Sequence, residues 1–225
     1  MSARWLKPRP FGRKSDTGDR SGFHGVQMEL WTTGMQHSKF DIAGPVQIQP
    51  RRLGDARGYF AETFRSDLMA EVLGTGAQTI EFVQENESLS ARVGTVRGLH
   101  FQSPPFAQAK LVRCLAGALL DVVVDIRRGS PNYGRWLGVE LSAQQGNQIW
   151  VPEGFAHGFC TLKPNTVISY KVTAYYSAKH DKGLYWIDPT IGVVWPECAD
   201  PETLSAKDRI QPRLADLPDY FTYEA

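Results

Sequence analysis

Gly94-Thr95-Val96-Arg97-Gly98-Leu99-His100-Phe101-Gln102 and, further on, Gly146-Asn147-Gln148-Ile149-Trp150-Val151-Pro152-Glu153-Gly154-Phe155-Ala156-His157 decide how this chain is read. As patterns they are G-x5-H-x-Q and G-x5-P-x-G-x2-H. Around them lie further short strand-like runs at 79–86, 110–116, 119–126, 136–141, 148–151, 156–162 and 166–176, with 95–102 among them. They follow one another about every 8–12 residues with Gly, Pro or Asn between, the rhythm of a double-sheet β-barrel. Ser103-Pro104-Pro105-Phe106-Ala107 is too rich in proline for a central strand and reads as a loop. Ser66 to Leu73 reads as a short helix capped by Ser66 or Asp67. After Ser177 the pattern turns to bends and short helical pieces.

With 225 residues, 42% of them hydrophobic, the chain can hold one domain with a sizeable core. A net charge of +1 argues against a general nucleic-acid binder, so any anion site must be a local cluster. Cys114, Cys160 and Cys198 are odd in number and spaced unlike metal ligands. They read as free thiols in a reducing, cytoplasmic setting. No apolar run approaches the ~20 residues needed to cross a bilayer, and no secretory signal is visible. Residues 1–39 differ from the rest, with Arg4, Lys7, Arg9, Arg13, Lys14 and Arg20 against Asp16 and Asp19. They read as a basic, flexible arm ahead of a domain over 40–225. Met28 and Met35 leave open a later start of translation.

The second quoted stretch resembles the second signature of the cupin barrel. The first resembles the other signature, with Gln102 where a metal-binding cupin has His. Counting back from Gly117 to the usual Glu position lands on Lys110. The quartet that would hold a metal is thus His100, Gln102, Lys110 and His157. A divalent ion wants carboxylate or neutral imidazole donors, and a protonated ammonium offers no lone pair. The pocket is expected to be metal-free and anion-seeking. An imidazole beside a fixed cation suits proton abstraction next to a carbonyl, with Lys110 stabilising the oxyanion.

"RGLHFQ", "AKLVRCLAGALLDVVVDIRRGSPNYGRW", "VPEGFAHGF", "SYKVTAYYS", "WIDPTIGVVWP" and "LSAKD" occur in this order between about Phe40 and Leu214. Together they resemble the dTDP-4-dehydrorhamnose 3,5-epimerase family. The resemblance implies an all-β, cupin-like jelly-roll barrel with short peripheral helices, working without metal or other cofactor. It implies that a dTDP-linked 4-keto-6-deoxyglucose is epimerised at the two carbons flanking its ketone. His100 matches the base, Asp208 the carboxylate paired with it, Tyr170 the proton donor on the opposite face and Lys110 the oxyanion donor. Tyr176 matches the residue that stacks on thymine. Arg57 and Arg97 match diphosphate contacts, and Glu62, Gln84, Asn86, His157, Asp181 and Lys207 match other substrate-contact positions. Arg57 and Glu62 reach the neighbouring subunit's site in this family, which implies a homodimer.

Strand parity puts Tyr170 and Tyr176 on one face if no bulge intervenes, and Tyr175 away from it as packing. Arg113 falls on the other face from Lys110 and reads as structural. The chain departs from the family pattern at Glu87, where a His is common, and at Asp181, where a Glu is usual. Single insertions lie between Gln84 and Arg97 and before Lys207. These bear on the nucleotide and on whether both carbons react. Three other readings stay open: a relative acting at one carbon or isomerising the ketone in antibiotic or glycan biosynthesis, a silent sugar-nucleotide-binding barrel, and a metal-dependent cupin.

Overall fold

Alternating and continuous apolar runs resolve into two antiparallel sheets facing each other. The structure, a computed structural model, describes residues 27–32, 35–75 and 80–224. Its strands are β1 (Gln27–Thr32), β2 (Met35–Lys39), β3 (Val46–Pro50), β4 (Arg52–Asp55), β5 (Gly58–Ala61), β6 (Gln84–Ser90), β7 (Val96–Gln102), β8 (Lys110–Ala116), β9 (Ala118–Asp125), β10 (Trp136–Ser142), β11 (Gln148–Val151), β12 (Phe155–Thr161), β13 (Thr166–Val172) and β14 (Asp181–Gly183). One sheet runs β1-β2-β3-β11-β8-β13-β6 and the other β10-β9-β12-β7-β14, while β4 and β5 form a separate hairpin.

Burial follows from this layering. Val112, Ile149 and Ile168 of the first sheet meet Leu119, Val123, Leu137 and Phe159 of the second in the inner core. The outer face of the second sheet, with Leu99, Val122 and Ala156, is covered by Leu184, Ile191, Leu214 and Leu217 of the C-terminal segment. The outer face of the first sheet packs Val46, Ile48, Leu111 and Trp150 under helix α1 (Ser66–Leu73) through Leu68, Met69 and Val72. Short 3-10 turns at Pro201–Thr203, Asp208–Ile210 and Leu214–Asp216 punctuate the C-terminal segment. No helix among the described residues is long and apolar enough to cross a membrane.

Several expectations need correction. Residues 1–26 of the expected basic arm lie outside the described residues, but its end does not behave as an arm. Gln27–Thr32 and Met35–Lys39 are β1 and β2, and Met35 to Lys39 pair residue by residue with Pro50 to Val46. The strand expected over 79–86 is instead Gln84–Ser90. Ile80 and Phe82 pack on the outer apolar cluster, and pairing with β13 runs on through Ser90. The strand expected over 166–176 stops at Val172. Helix α1 covers the expected residues, but its N-cap is Arg65 and no side chain caps it. Asp67 accepts from Arg65 Nε and from the Leu68 amide instead.

Candidate functional site

Opposed residues on paired strands share a sheet face, which assigns the inner surface of each wall. On the second sheet His157 pairs with His100 and with Val123, and Phe159 pairs with Asp121. His100, His157 and Asp121 therefore point inward. Arg97 joins them although it lies three residues before His100. A bulge where β7 meets β12 shifts the register, so Arg97 pairs with Phe159. Gly98 is required there. Its φ is +116°, and a Cβ would sit 2.6 Å from Gly158 Cα and 2.8 Å from the His157 carbonyl oxygen.

His100 Nε2 lies 2.5 Å from Oδ1 of Asp208, a carboxylate 3% exposed at the start of a 3-10 turn. Burial pushes this carboxyl upward. The hydrogen bond and charge of His100, with help from Ser205 and Lys207, outweigh burial and leave it below the usual carboxylate range. His157 Nε2 is 2.8 Å from Oδ2 of Asp121, whose Oδ1 is buried with no partner among the described residues.

The facing wall is built by β6, β8 and β13. Tyr170 pairs with Asn86 and Val112, and Val172 pairs with Gln84 and Lys110. Tyr170, Asn86, Gln84 and Lys110 thus line the inner face opposite His100, and Tyr170 packs against the inner core. Burial raises the Tyr170 phenol above its ordinary pKa, with Asp181 adding to the rise and Arg97 opposing it. Lys110 is buried, and burial lowers its ammonium from 10.5 to about 8 against the pull of Asp121 and Asp181. No hydrogen bond is made by that ammonium among the described residues. Arg113, one face over, borders a small outer cavity with Glu85 and Lys171.

At the mouth, Asp181 pairs with Gln102 along β14 and β7. Its Oδ2 takes an ion pair from Lys207 and a 3.2 Å bond from the Tyr176 hydroxyl. Asp181 raises the Tyr176 phenol by its charge first, then by that bond. Gln84 Nε2 donates to Asn86 Oδ1 at 2.7 Å. Tyr176 lies beyond the end of β13, so parity does not set its direction, and Tyr175 is exposed rather than packed.

Two expected residues stand apart. Among the described residues Arg57, 90% exposed at the tip of the β4–β5 hairpin, bonds only Asp55, and Glu62 faces Arg65 at 3.6 Å. The residue that sequence reading overlooked is Asp121. Its signal was a carboxylate inside the apolar run "LLDVVVDI", on a strand buried along its whole length. Of the metal-quartet positions, Gln102 spends its amide on backbone groups and Lys110 supplies a cation. No group of three or more His, Cys, Asp or Glu side chains that could hold a metal occurs among the described residues.

Comparison with known proteins gives a consistent picture. The profile of the dTDP-4-dehydrorhamnose 3,5-epimerase family matches residues 39–216. A protein of that description from Sinorhizobium fredii is 56% identical over 189 residues, 84% of this chain and 94% of its own. The Legionella pneumophila epimerase solved in complex with dTDP-4-keto-L-rhamnose superposes with a TM-score of 0.78 at 39% identity, covering 85% of this chain and all of the other. The Bacillus anthracis enzyme with TDP and pyrophosphate bound gives 0.74 at 46% identity, covering 80% of this chain and 99% of its own.

Proposed function

The chain belongs to the dTDP-4-dehydrorhamnose 3,5-epimerase family and is an isomerase; from that premise we propose that it converts dTDP-4-dehydro-6-deoxy-D-glucose to dTDP-4-dehydro-L-rhamnose by proton transfer between two walls of the barrel. The observation that carries this reading is the placement of the His100–Asp208 pair on one inner wall and the Tyr170 phenol, with the buried Lys110 ammonium, on the other.

The step follows from those groups. The neutral imidazole of His100 takes the proton from a carbon next to the ketone, and the C–H electron pair moves into an enolate. Asp208 orients the ring and stabilises the imidazolium. Lys110, whose ammonium makes no hydrogen bond among the described residues, receives the charge on the enolate oxygen. Tyr170 then gives its proton to the carbon from the opposite face, and the phenolate and imidazolium exchange with water. Repetition at the second flanking carbon completes the double epimerisation. His157, held by Asp121, hydrogen-bonds the sugar, and Asn86 and Gln84 line the ring beside Tyr170.

Tyr176 stacks on the thymine, Arg97 contacts the diphosphate, and Lys207 and Asp181 border the same mouth. Arg57 and Glu62 complete a neighbouring subunit's site in a homodimer. The exposed Leu53, Tyr59 and Phe60 on the same hairpin support an interface there. The enzyme works in the reducing cytoplasm, in keeping with its free cysteines.

The test is incubation with the keto-sugar nucleotide in heavy water with chelator, read by NMR at each ring carbon. Deuterium enters at carbons 3 and 5, and His100→Ala abolishes it. Unchanged exchange in that variant removes His100 as the base, and label at carbon 3 alone assigns a single-carbon epimerase.

A further inference from the structure

β13 ends at Val172, yet the next turn of chain is not loose. Four consecutive residues, Ala174 to Ser177, are each gripped by a glutamine side chain. Gln108 Nε2 donates to the Ala174 carbonyl at 2.7 Å and Gln102 Nε2 to the Tyr175 carbonyl at 3.1 Å. The Tyr176 amide donates to Gln84 Oε1 at 3.1 Å and the Ser177 amide to Gln102 Oε1 at 2.6 Å. Gln102 Nε2 also donates to the Phe106 carbonyl at 2.7 Å, so one amide ties this segment to the proline-rich loop after β7.

Gln102 is 4% exposed, and its partners leave one orientation. Flipping the amide would set its NH2 against the Ser177 N–H and its oxygen against two carbonyls. His180 braces the same contact. Its ring lies 4.7 Å from that of Phe106, its Nδ1 is 2.8 Å from Ser177 Oγ, and its carbonyl accepts from Ser103. In the middle of this held backbone sits Tyr176, a residue 60% exposed. A bound group that stacks on a ring already held loses less entropy than one that must first order a loop.

We propose that Gln102, at the position of a metal ligand in metal-binding cupins, is a positioning residue for nucleotide capture. With Gln84 and Gln108 it clamps residues 174–177 so that the Tyr176 ring is set before the thymine arrives. The inference rests on the reading of Tyr176 as the stacking residue.

Titration calorimetry with dTDP and steady-state deuterium exchange with the keto-sugar nucleotide test it in four proteins: Gln102→Met, Gln108→Ala, Tyr176→Ala and the double variant Gln102→Met/Tyr176→Ala. Gln102→Met raises both the Kd for dTDP and KM by about tenfold, within the range of one base–aromatic stack, while kcat changes far less. Gln108→Ala, which removes one bond near the surface, weakens dTDP by about 2–10-fold. In the double variant the loss equals that of Tyr176→Ala alone, because both changes act through one ring. Additive losses place the effect of Gln102 elsewhere and overturn the clamp. Wild-type affinity in both glutamine variants, with Tyr176→Ala weakened, also overturns it and leaves stacking intact. Undiminished binding in Tyr176→Ala overturns the stacking reading and the clamp with it. If Gln102→Met does not fold, Gln108→Ala decides the matter alone.

Discussion

Lys110→Met should make this protein more stable and nearly inactive at once. Methionine matches the length of the lysine stem and is at home among Val112, Val151 and Val172, its neighbours along and across the strands. The stability gain can be worked from the ammonium. Burial holds its pKa at about 8 instead of 10.5, so at neutral pH the folded state carries a penalty of about 3 kcal/mol for keeping it charged. The penalty is fully present below about pH 8, where both states are protonated, shrinks as the folded state alone releases its proton, and vanishes above about pH 10.5. Thermal melts at pH 7 should therefore place the variant roughly 6–12 °C above the parent, on the usual scaling for a domain of this size. The gap should close as the pH approaches 10.5. Deuterium exchange into the keto-sugar should meanwhile fall by about 10²–10³-fold, the size of a lost oxyanion donor. In the parent enzyme exchange should decline as pH rises through about 8, where Lys110 loses its charge. A variant that melts no higher than the parent at pH 7 would show that the ammonium bears no burial penalty, and a gap that persists at high pH would assign the gain to the packing of methionine rather than to the lost charge. An undiminished rate would show that it does not meet the enolate.

Tyr170→Phe should still exchange deuterium, since His100 can return the hydron it removed, but inversion should fall by at least about 10²-fold; equal loss of exchange and inversion would mean that the phenol is not the opposite-face donor. Mixing Arg57→Ala subunits with His100→Ala subunits should restore activity that neither has alone, because one site of each mixed dimer keeps its own imidazole and receives an intact guanidinium; a mixture that exchanges subunits and stays inactive would refute completion across the interface. Gly98→Ala should lower stability by at least about 2 kcal/mol, from positive φ and contact with the Gly158 backbone, and an unchanged melt would remove the steric reason for glycine in the bulge.

What could be read in advance tracks how local the cause is. Lys110–Ala116 and Gln148–Val151 are observed over the very residues expected, because each is an apolar run closed by its own punctuation. The end of β13 was not legible. The tyrosine-rich run continues as strand-like sequence, but from Ala174 to Ser177 its backbone partners include the side chains of three glutamines, 66 to 92 positions away in the chain. Asp121 was passed over for another reason: on a strand buried on both faces no alternation tells which wall its carboxylate faces. Arg97 shows the limit most sharply. Counting by twos from His100 sends it to the outer face, and only the bulge at Gly98 returns it to the inner one.

The pieces of the site that mattered most came through resemblance, and physics explains why composition could not supply them. His100 and Tyr170 are 70 positions apart and belong to different sheets, so no local pattern relates them. Their opposition is a property of the sandwich itself. Two sheets packed face to face stand about 10 Å apart, so the proposed sugar ring near the mouth would be reached by side chains from above and below. Removing a proton from one face and returning it to the other needs two groups that never compete for the same side. Placing them on one strand would set both on the same wall at every even spacing. In the proposed mechanism, placing them on facing sheets makes the two-sided geometry a consequence of the fold, and leaves the ammonium of Lys110 the task of holding charge while the hydrogens change sides.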